Sequence, residues 1–371
     1  MKSKKLNIAF FGSSIVSAYW NGAATYYRGI VKALNSFGHQ VTFYEPDIYD
    51  RQKHRDIDPP DYCEVVVYEE DKVSLRSLLR KAQEEADLII KASGVGAFDE
   101  FLEEEIPNLK SSENAVVFWD VDAPATLSRM ENDPNDAFRE QVSRYDCIFT
   151  YGGGDPVVRA YLNFGAKQCV PIYNALDEDT HFPEKPQKEF RSSLSFLGNR
   201  LPDREQRVLE FFIKPAAAFP GRRFILGGSG WGDLQLPENV KYLDHVYTKD
   251  HNVFNSSALT VLNISRNSMA EYGFSPATRV FEAAGAAACM ITDYWEGIDL
   301  FFEPDKEILV AKDGQEVIDI LHELTPERAR EIGRAAHKKV LEKHTYKHRM
   351  DLLNKVIKEV LDNKKTQIKN T

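Results

Sequence analysis

Apolar runs of four to eight residues alternate with stretches of helical period along most of the chain. That alternation predicts an α/β protein built on mostly parallel sheets. In the first half the runs predict strands at Leu6–Phe11, Val41–Tyr44, Val65–Val67, Leu88–Lys91, Ala115–Trp119, Cys147–Tyr151 and Cys169–Ile172. Between the first two lies Gly22–Phe37, with Ile30, Val31 and Leu34 on one helical face and Gly38 placed to end it.

The second half restarts the same rhythm. Strands are expected at Leu194–Leu197, Phe224–Leu226, Leu259–Ile264, Cys289–Thr292 and Ile308–Ala311, with helices at Arg204–Phe212, Ala277–Ala287 and Glu316–Leu324. Thr325-Pro326-Glu327 reads as an N-cap, a proline at the first helical position and an acid in the first turn. Met350–Leu361 carries apolar residues at helical spacing and needs a surface to pack on. The polar, aperiodic stretch Asn174–Lys188, with Pro183 and Pro186, reads as a linker. The expected division is 1–175, a linker at 176–188, a second domain at 189–345, and a C-terminal helix, 346–371, returning to the first domain. Two doubly wound domains of this kind would face a cleft, with ligands beyond the carboxyl ends of the strands.

Length and charge narrow the classes. The chain has 371 residues, with 47 Lys plus Arg against 57 Asp plus Glu, a formal charge of −10. An acidic chain lacks the broad basic footprint that phosphate backbones require, so nucleic acid is not the expected partner. No apolar run approaches the ~20 residues that span a bilayer, and Met1–Lys5 with the following apolar run lacks a clean cleavage site for a signal peptide. Cys63, Cys147, Cys169 and Cys289 are far apart and sit in or beside apolar runs. They read as buried free thiols, which suits a reducing cytoplasm. From His337 onward ten Lys or Arg face four Asp or Glu. That tail reads as a solvated helix face, and it is compatible with peripheral contact to an anionic membrane surface.

Several loops could carry chemistry. Gly12-Ser13-Ser14 follows the first strand and Ser93-Gly94-Val95-Gly96 follows another; each is either a tight turn or a place where backbone N–H groups meet a ligand. Asp120 and Asp122 would point to one side of an extended chain, as a base, as hydroxyl acceptors or as a solvated turn. A metal there is weakly supported, since no histidine or third carboxylate is near in sequence. In Gly152-Gly153-Gly154-Asp155-Pro156, Asp155 reads as the N-cap of the next helix. Gly227-Gly228-Ser229-Gly230-Trp231 would let a ligand approach the backbone, with Trp231 stacking on a ring or closing the core.

The densest constellation runs from Asn263 to Glu282. Arg266 and Arg279 could neutralise a diphosphate with bidentate hydrogen bonds. Ser275 and Thr278 stand at the start of a helix, where free N–H groups favour anions. Glu282 follows one turn on, and could take both hydroxyls of a ribose or simply pair with Arg279 on a surface. The run Ala283-Ala284-Gly285-Ala286-Ala287 wants close packing, which disfavours an exposed helix.

The segment SPATRVFEAAGAAACMITDYWEGIDLFFEPDKEILVAKDGQEV resembles the C-terminal signature of GT-B-fold group 1 glycosyltransferases, in particular the branch similar to the spore maturation protein CgeB. SLSFLGNRLPDRE and RFILGGSGW are similar to the segments preceding it, NGAATYYRGIVKALNSFGHQVTFYEPD to the first helix and second strand, and YNALDEDTHFP to the interdomain hinge. The resemblance implies a nucleotide-sugar donor, UDP-linked being favoured, and a cytoplasmic enzyme needing neither cofactor nor metal. It implies that Glu282 holds the ribose and that Arg279 and Arg266 face the diphosphate. Asn263, Ser275, Thr278, Gly198, Asn199 and Gly228 would line the phosphates or sugar. The acceptor, which could be a glycan, a protein or a small molecule, would lie near Gly12–Ser14, Gly96 and Asp122, with Asp122 as base if the reaction inverts. Many retaining relatives carry a second glutamate eight positions before Glu282; here that position is Phe274. A non-catalytic sugar- or nucleotide-binding protein and a nucleotide-sugar epimerase are the alternatives on the same fold.

Overall fold

Strands buried on both faces read as unbroken apolar runs, and here even their polar members are enclosed. The computed structural model describes residues 4–369, without the side chains of 365–369. It divides into two units: the chain up to Tyr173 together with everything from Tyr346, and Asn174–Thr345.

The first unit is a seven-stranded, wholly parallel sheet in the order β3-β2-β1-β4-β5-β6-β7. Its strands are β1 (Asn7–Phe11), β2 (Gln40–Pro46), β3 (Glu64–Tyr68), β4 (Leu88–Ala92), β5 (Ala115–Asp120), β6 (Cys147–Thr150) and β7 (Cys169–Pro171). β4 and β5 are buried at every residue. Lys91 of β4 is tolerated there because its ammonium lies 2.7 Å from Asp99 and 3.3 Å from Glu103. The helix Ala24–Ser36 ends as expected, Gly38 taking φ +92° beyond it. The last helix, Tyr346–Lys369, packs on this helix. A Cβ on Gly29 would come within 2.0 Å of the Tyr346 ring, so the glycine is what permits the close approach.

The second unit repeats the plan with β8 (Leu194–Leu197), β9 (Phe224–Gly227), β10 (Val240–Leu243), β11 (Thr260–Asn263), β12 (Met290–Asp293) and β13 (Leu309–Ala311). They form a parallel sheet in the order β10-β9-β8-β11-β12-β13. Each sheet therefore reverses its winding once, between β1 and β4 in one and between β8 and β11 in the other. A doubly wound sheet binds ligands at that reversal, outside the carboxyl ends of the strands. The architecture is the α/β GT-B type, two Rossmann-like units.

Some local details differ from expectation. Asp155 does not cap its helix: Gly153, at φ +90°, occupies that position and Asp155 stands in the first turn, where a carboxylate still favours the helix dipole. The helix expected at 204–212 starts at Pro202, runs to Val208 and widens into a π turn at Leu209–Ile213. β10 was not foreseen, because this edge strand is only half-buried and carries Lys241 and Tyr242. The stretch read as a linker belongs to the second unit, where Phe182, Glu184 and Gln187 donate backbone N–H groups to Asn252, Ser256 and Ser257. The Thr325 cap is as expected, its hydroxyl accepting from Arg328 N–H. All four cysteines are free thiols, and no helix of the described residues is long and apolar enough to cross a membrane.

Candidate functional site

In the second unit the turn after β8, Gly198-Asn199, is laced to the glycine loop after β9. Gly198 N–H donates to Gly227 O at 2.9 Å, and Asn199 Oδ1 accepts from Ser229 N–H at 3.0 Å. Gly228, at φ +117°, is held so close that a Cβ would lie 2.3 Å from Gly198 O. Trp231 is a core residue: it is fully buried and its Nε1–H donates to Gly198 O at 2.8 Å. The glycines and Asn199 thus serve first to shape this wall.

The loop after β11 forms the facing wall. Ser265 donates both its backbone N–H and its hydroxyl to buried Asp293 at the end of β12. Asp293 also takes Arg207 at 2.5 Å, and burial leads in raising its pKa. Arg266, expected on a diphosphate, has its Nε–H on Asp203 at 2.7 Å. Asn263 is buried and already engaged at both amide ends, accepting from Arg279 and donating to Thr292 Oγ1. Ser275 donates its hydroxyl to Gly273 O, closing a local turn, and Thr278 donates to Asn174 Oδ1, tying the helix start to the beginning of this unit. The Gly273-Phe274 turn before them runs at φ +68° and +46°, a conformation a phenylalanine adopts only under constraint.

Arg279 stands apart from these. It projects from the first turn of the helix Thr278–Gly285 over the Phe196 ring, 5.1 Å to the centroid. Asn263 Oδ1 is its one hydrogen-bond acceptor, and no carboxylate of the described residues lies within ion-pairing distance. Burial, reinforced by the charge of Arg204, pushes its pKa down to about 9. A Cβ on Gly198 would sit 2.9 Å from Arg279 Nη2 and 3.2 Å from Arg204 Nη1, so both guanidiniums flank the β8 turn. Arg204 was missed from the sequence, although it lies in the first turn of a Pro202-led helix directly after that turn. Glu282, one helical turn beyond Arg279, accepts no hydrogen bond from the described residues; the nearest basic atom is His181 Nε2 at 3.9 Å. The arrangement offers two cations, a glycine-lined turn and an uncommitted carboxylate at the reversal of the second sheet.

In the first unit the equivalent place is filled from within. Glu45 accepts from Ile15 N–H at 2.7 Å, from the Ser14 hydroxyl and from Gln52. Asp99 accepts from the N–H groups of Val95 and Gly96. Gly12 approaches the Phe43 ring too closely for a side chain. Asp120 and Asp122 do not share one environment. Asp120 is fully buried, accepting from Ser93, Thr126 and Tyr161, with its pKa raised chiefly by burial. Asp122 is half-buried at the start of the helix Ala123–Asn132, and its N–H donates to Asp120.

Residues 204–355 match the family model described as glycosyl transferase-like. No curated protein matches the chain by sequence. Solved structures resemble it along nearly the whole length. Sucrose-phosphate synthase from Thermosynechococcus elongatus is 13% identical over 97% of this chain and 100% of its own, with a TM-score of 0.70. An alpha-glucosyltransferase in complex with UDP-glucose and DNA containing an abasic site is 14% identical over 96% and 100%, TM-score 0.70. Anabaena HepE in complex with UDP-glucose is 16% identical over 96% and 100%, TM-score 0.63. At these identities the structures show the GT-B fold. The family match and the fold together support an enzyme of the glycosyltransferase class. The DNA complex of one neighbour means that the fold by itself does not exclude nucleic acid.

Proposed function

We propose that this chain transfers a glycosyl group from a nucleoside-diphosphate sugar, UDP-linked by preference, to an acceptor hydroxyl. The carrying observation is Arg279, a partly buried guanidinium that stays charged near neutral pH with no carboxylate of the described residues within ion-pairing distance. A desolvated cation without an ion-pair partner is costly, and a bound anion offsets that cost. With Arg204 it forms a site of the right sign for a pyrophosphate, at the place where doubly wound sheets take ligands. Glu282 would accept both ribose hydroxyls. As the glycosidic bond breaks, negative charge builds on the departing diphosphate, and the two guanidiniums are already oriented to meet it. That positive charge fills the role a divalent cation plays elsewhere, so the proposed transfer needs no metal. If the acceptor is activated by a base, Asp122 is our assignment, a half-buried carboxylate at the carboxyl edge of the first sheet. The UDP-glucose complexes of two structural neighbours support the choice of nucleotide, and the resemblance to the CgeB-like branch supports the same class.

The test is release of nucleoside diphosphate from a panel of UDP-, GDP- and TDP-hexoses. Release of UDP that depends on Arg279 supports the reading. Tight UDP binding with no release from any donor would instead indicate a binding protein, and an isomerised donor without acceptor would indicate an epimerase.

A further inference from the structure

Beside Glu282 the second unit assembles two histidines from distant parts of the chain. His181 lies in the segment 176–188, and His251 opens the helix His251–Ser257. One ligating atom from each of His181, His251 and Glu282 falls within 4.8 Å of the others. His181 is only 3% exposed, and its Nε2 is buried with no hydrogen-bond partner. Its distance to Glu282, 3.9 Å, is too long for a hydrogen bond. A buried ring nitrogen left unpaired is costly, so the site asks for a ligand between these groups.

The surroundings resemble those of a ligating imidazole pair. His181 Nδ1 is 3.0 Å from Thr180 Oγ1, and His251 Nε2 is 3.2 Å from Val246 O. Each ring is thus oriented through one nitrogen by a protein oxygen, leaving the other nitrogen to a ligand, as metal-bound histidines are. The backbone is clamped as well. Asn252, adjacent to His251, donates to Thr180 O at 2.9 Å and accepts from Phe182 N–H at 3.2 Å, bracketing His181. Gly285, one turn after Glu282, lets the His181 segment close in; a Cβ there would sit 2.9 Å from His181 O.

We propose that His181, His251 and Glu282 bind one divalent late first-row cation, zinc fitting best, with water in the remaining position. Two imidazoles and one carboxylate are a borderline-soft donor set that suits zinc and its neighbours better than magnesium or calcium. Zinc–ligand distances near 2.0–2.1 Å bring tetrahedral ligand atoms to about 3.3 Å apart, so no pair must close by more than roughly 1.5 Å. Rotation of the Glu282 side chain and small ring tilts would supply that. The proposal stands on its own observations, and because both readings use Glu282 the cation belongs to the nucleotide-free protein, a bound ribose taking that carboxylate from it.

The experiment is zinc titration by calorimetry and cobalt titration by visible absorption, on untagged, chelator-stripped full-length protein with no nucleotide present. We expect one zinc per chain, the absorption of four- or five-coordinate cobalt with nitrogen ligands, and no competition from magnesium. His181→Asn, His251→Asn and Glu282→Gln should each weaken zinc by roughly 100-fold or more, since even outer-sphere losses reach that range. His322→Asn, an exposed histidine outside the cluster, should leave it unchanged. The wild-type cobalt spectrum keeps the test decisive should a variant misfold. No stoichiometric uptake, hexa-aquo-like cobalt, or folded cluster variants with wild-type affinity would each overturn the proposal. Because UDP is absent throughout, failure here would leave the donor reading untouched.

Discussion

The two units wind their sheets in the same order, and the resemblance extends to single residues. At the end of the fifth strand of each stands a fully buried aspartate, Asp120 and Asp293. Each accepts from a serine just beyond the fourth strand, Ser93 and Ser265. What differs is the charge around the reversal point. In the first unit the cation is Arg51, whose guanidinium donates to the carbonyls of Ser13, Val95 and Trp20, while Glu45 fills the loop after β1. In the second the cation is Arg279, with one amide oxygen and no carboxylate. The same topology therefore yields one reversal point satisfied from inside the protein and another that is electrostatically incomplete. A shared fold positions loops, and the pairing of a few charged side chains decides which loop binds an anion.

The largest effect that would break this comparison is at Arg279. Arg279→Ala should lower kcat/KM for the UDP-sugar by at least ~100-fold, the range seen when one oriented donor to a developing charge is lost. A steady-state assay that shows near-normal turnover would equalise the two reversal points. Next comes Glu282→Ala, which should raise the donor KM by roughly 10-fold while leaving kcat less affected, since the ribose is remote from the reacting bond. A donor lacking ribose hydroxyls should be insensitive to that change. In the first unit the expected effect is on stability. Glu45→Gln weakens charge-assisted bonds to Ile15 N–H and Ser14 and should cost about 1–3 kcal/mol, read as a lower urea midpoint, with UDP affinity unchanged. A parallel loss of UDP affinity would mean that the first unit also holds the nucleotide.

The smallest effect is in the pH dependence. Burial raises the folded pKa of Asp120. Its contribution to stability is complete below its unfolded value near 3.9 and fades as pH rises through the folded value, because there the unfolded chain releases the proton first. Asp120→Asn should remove that part of the decline, measured as urea midpoints across the acid range. An unaltered profile would mean that Asp120 is ionised in the folded protein.

Much of the fold was legible because parallel strands covered on both faces leave runs such as LIIKA and AVVFWD, which periodicity registers directly. β10 was not, since a half-buried edge strand alternates too weakly over four residues. At the site, the Asn263–Glu282 segment was visible as a concentration of polar residues, but sequence could not show which of them the protein already uses. Arg266 and Arg279 look alike in the chain; only folding pairs the first with Asp203 and leaves the second without an ion pair among the described residues. Arg204 hid in an ordinary charged helix start. His181 and His251, seventy positions apart, meet through the hydrogen bonds of Asn252, which no local pattern announces.

The most direct measurement is a crystal structure of the wild-type protein with UDP. The account predicts the pyrophosphate within hydrogen-bond reach of the Arg279 and Arg204 guanidiniums beside the Gly198 turn, and the ribose hydroxyls on Glu282. A pyrophosphate seated instead at Ser13 and Ser14 of the first unit, with Arg279 unmoved and untouched, would contradict it.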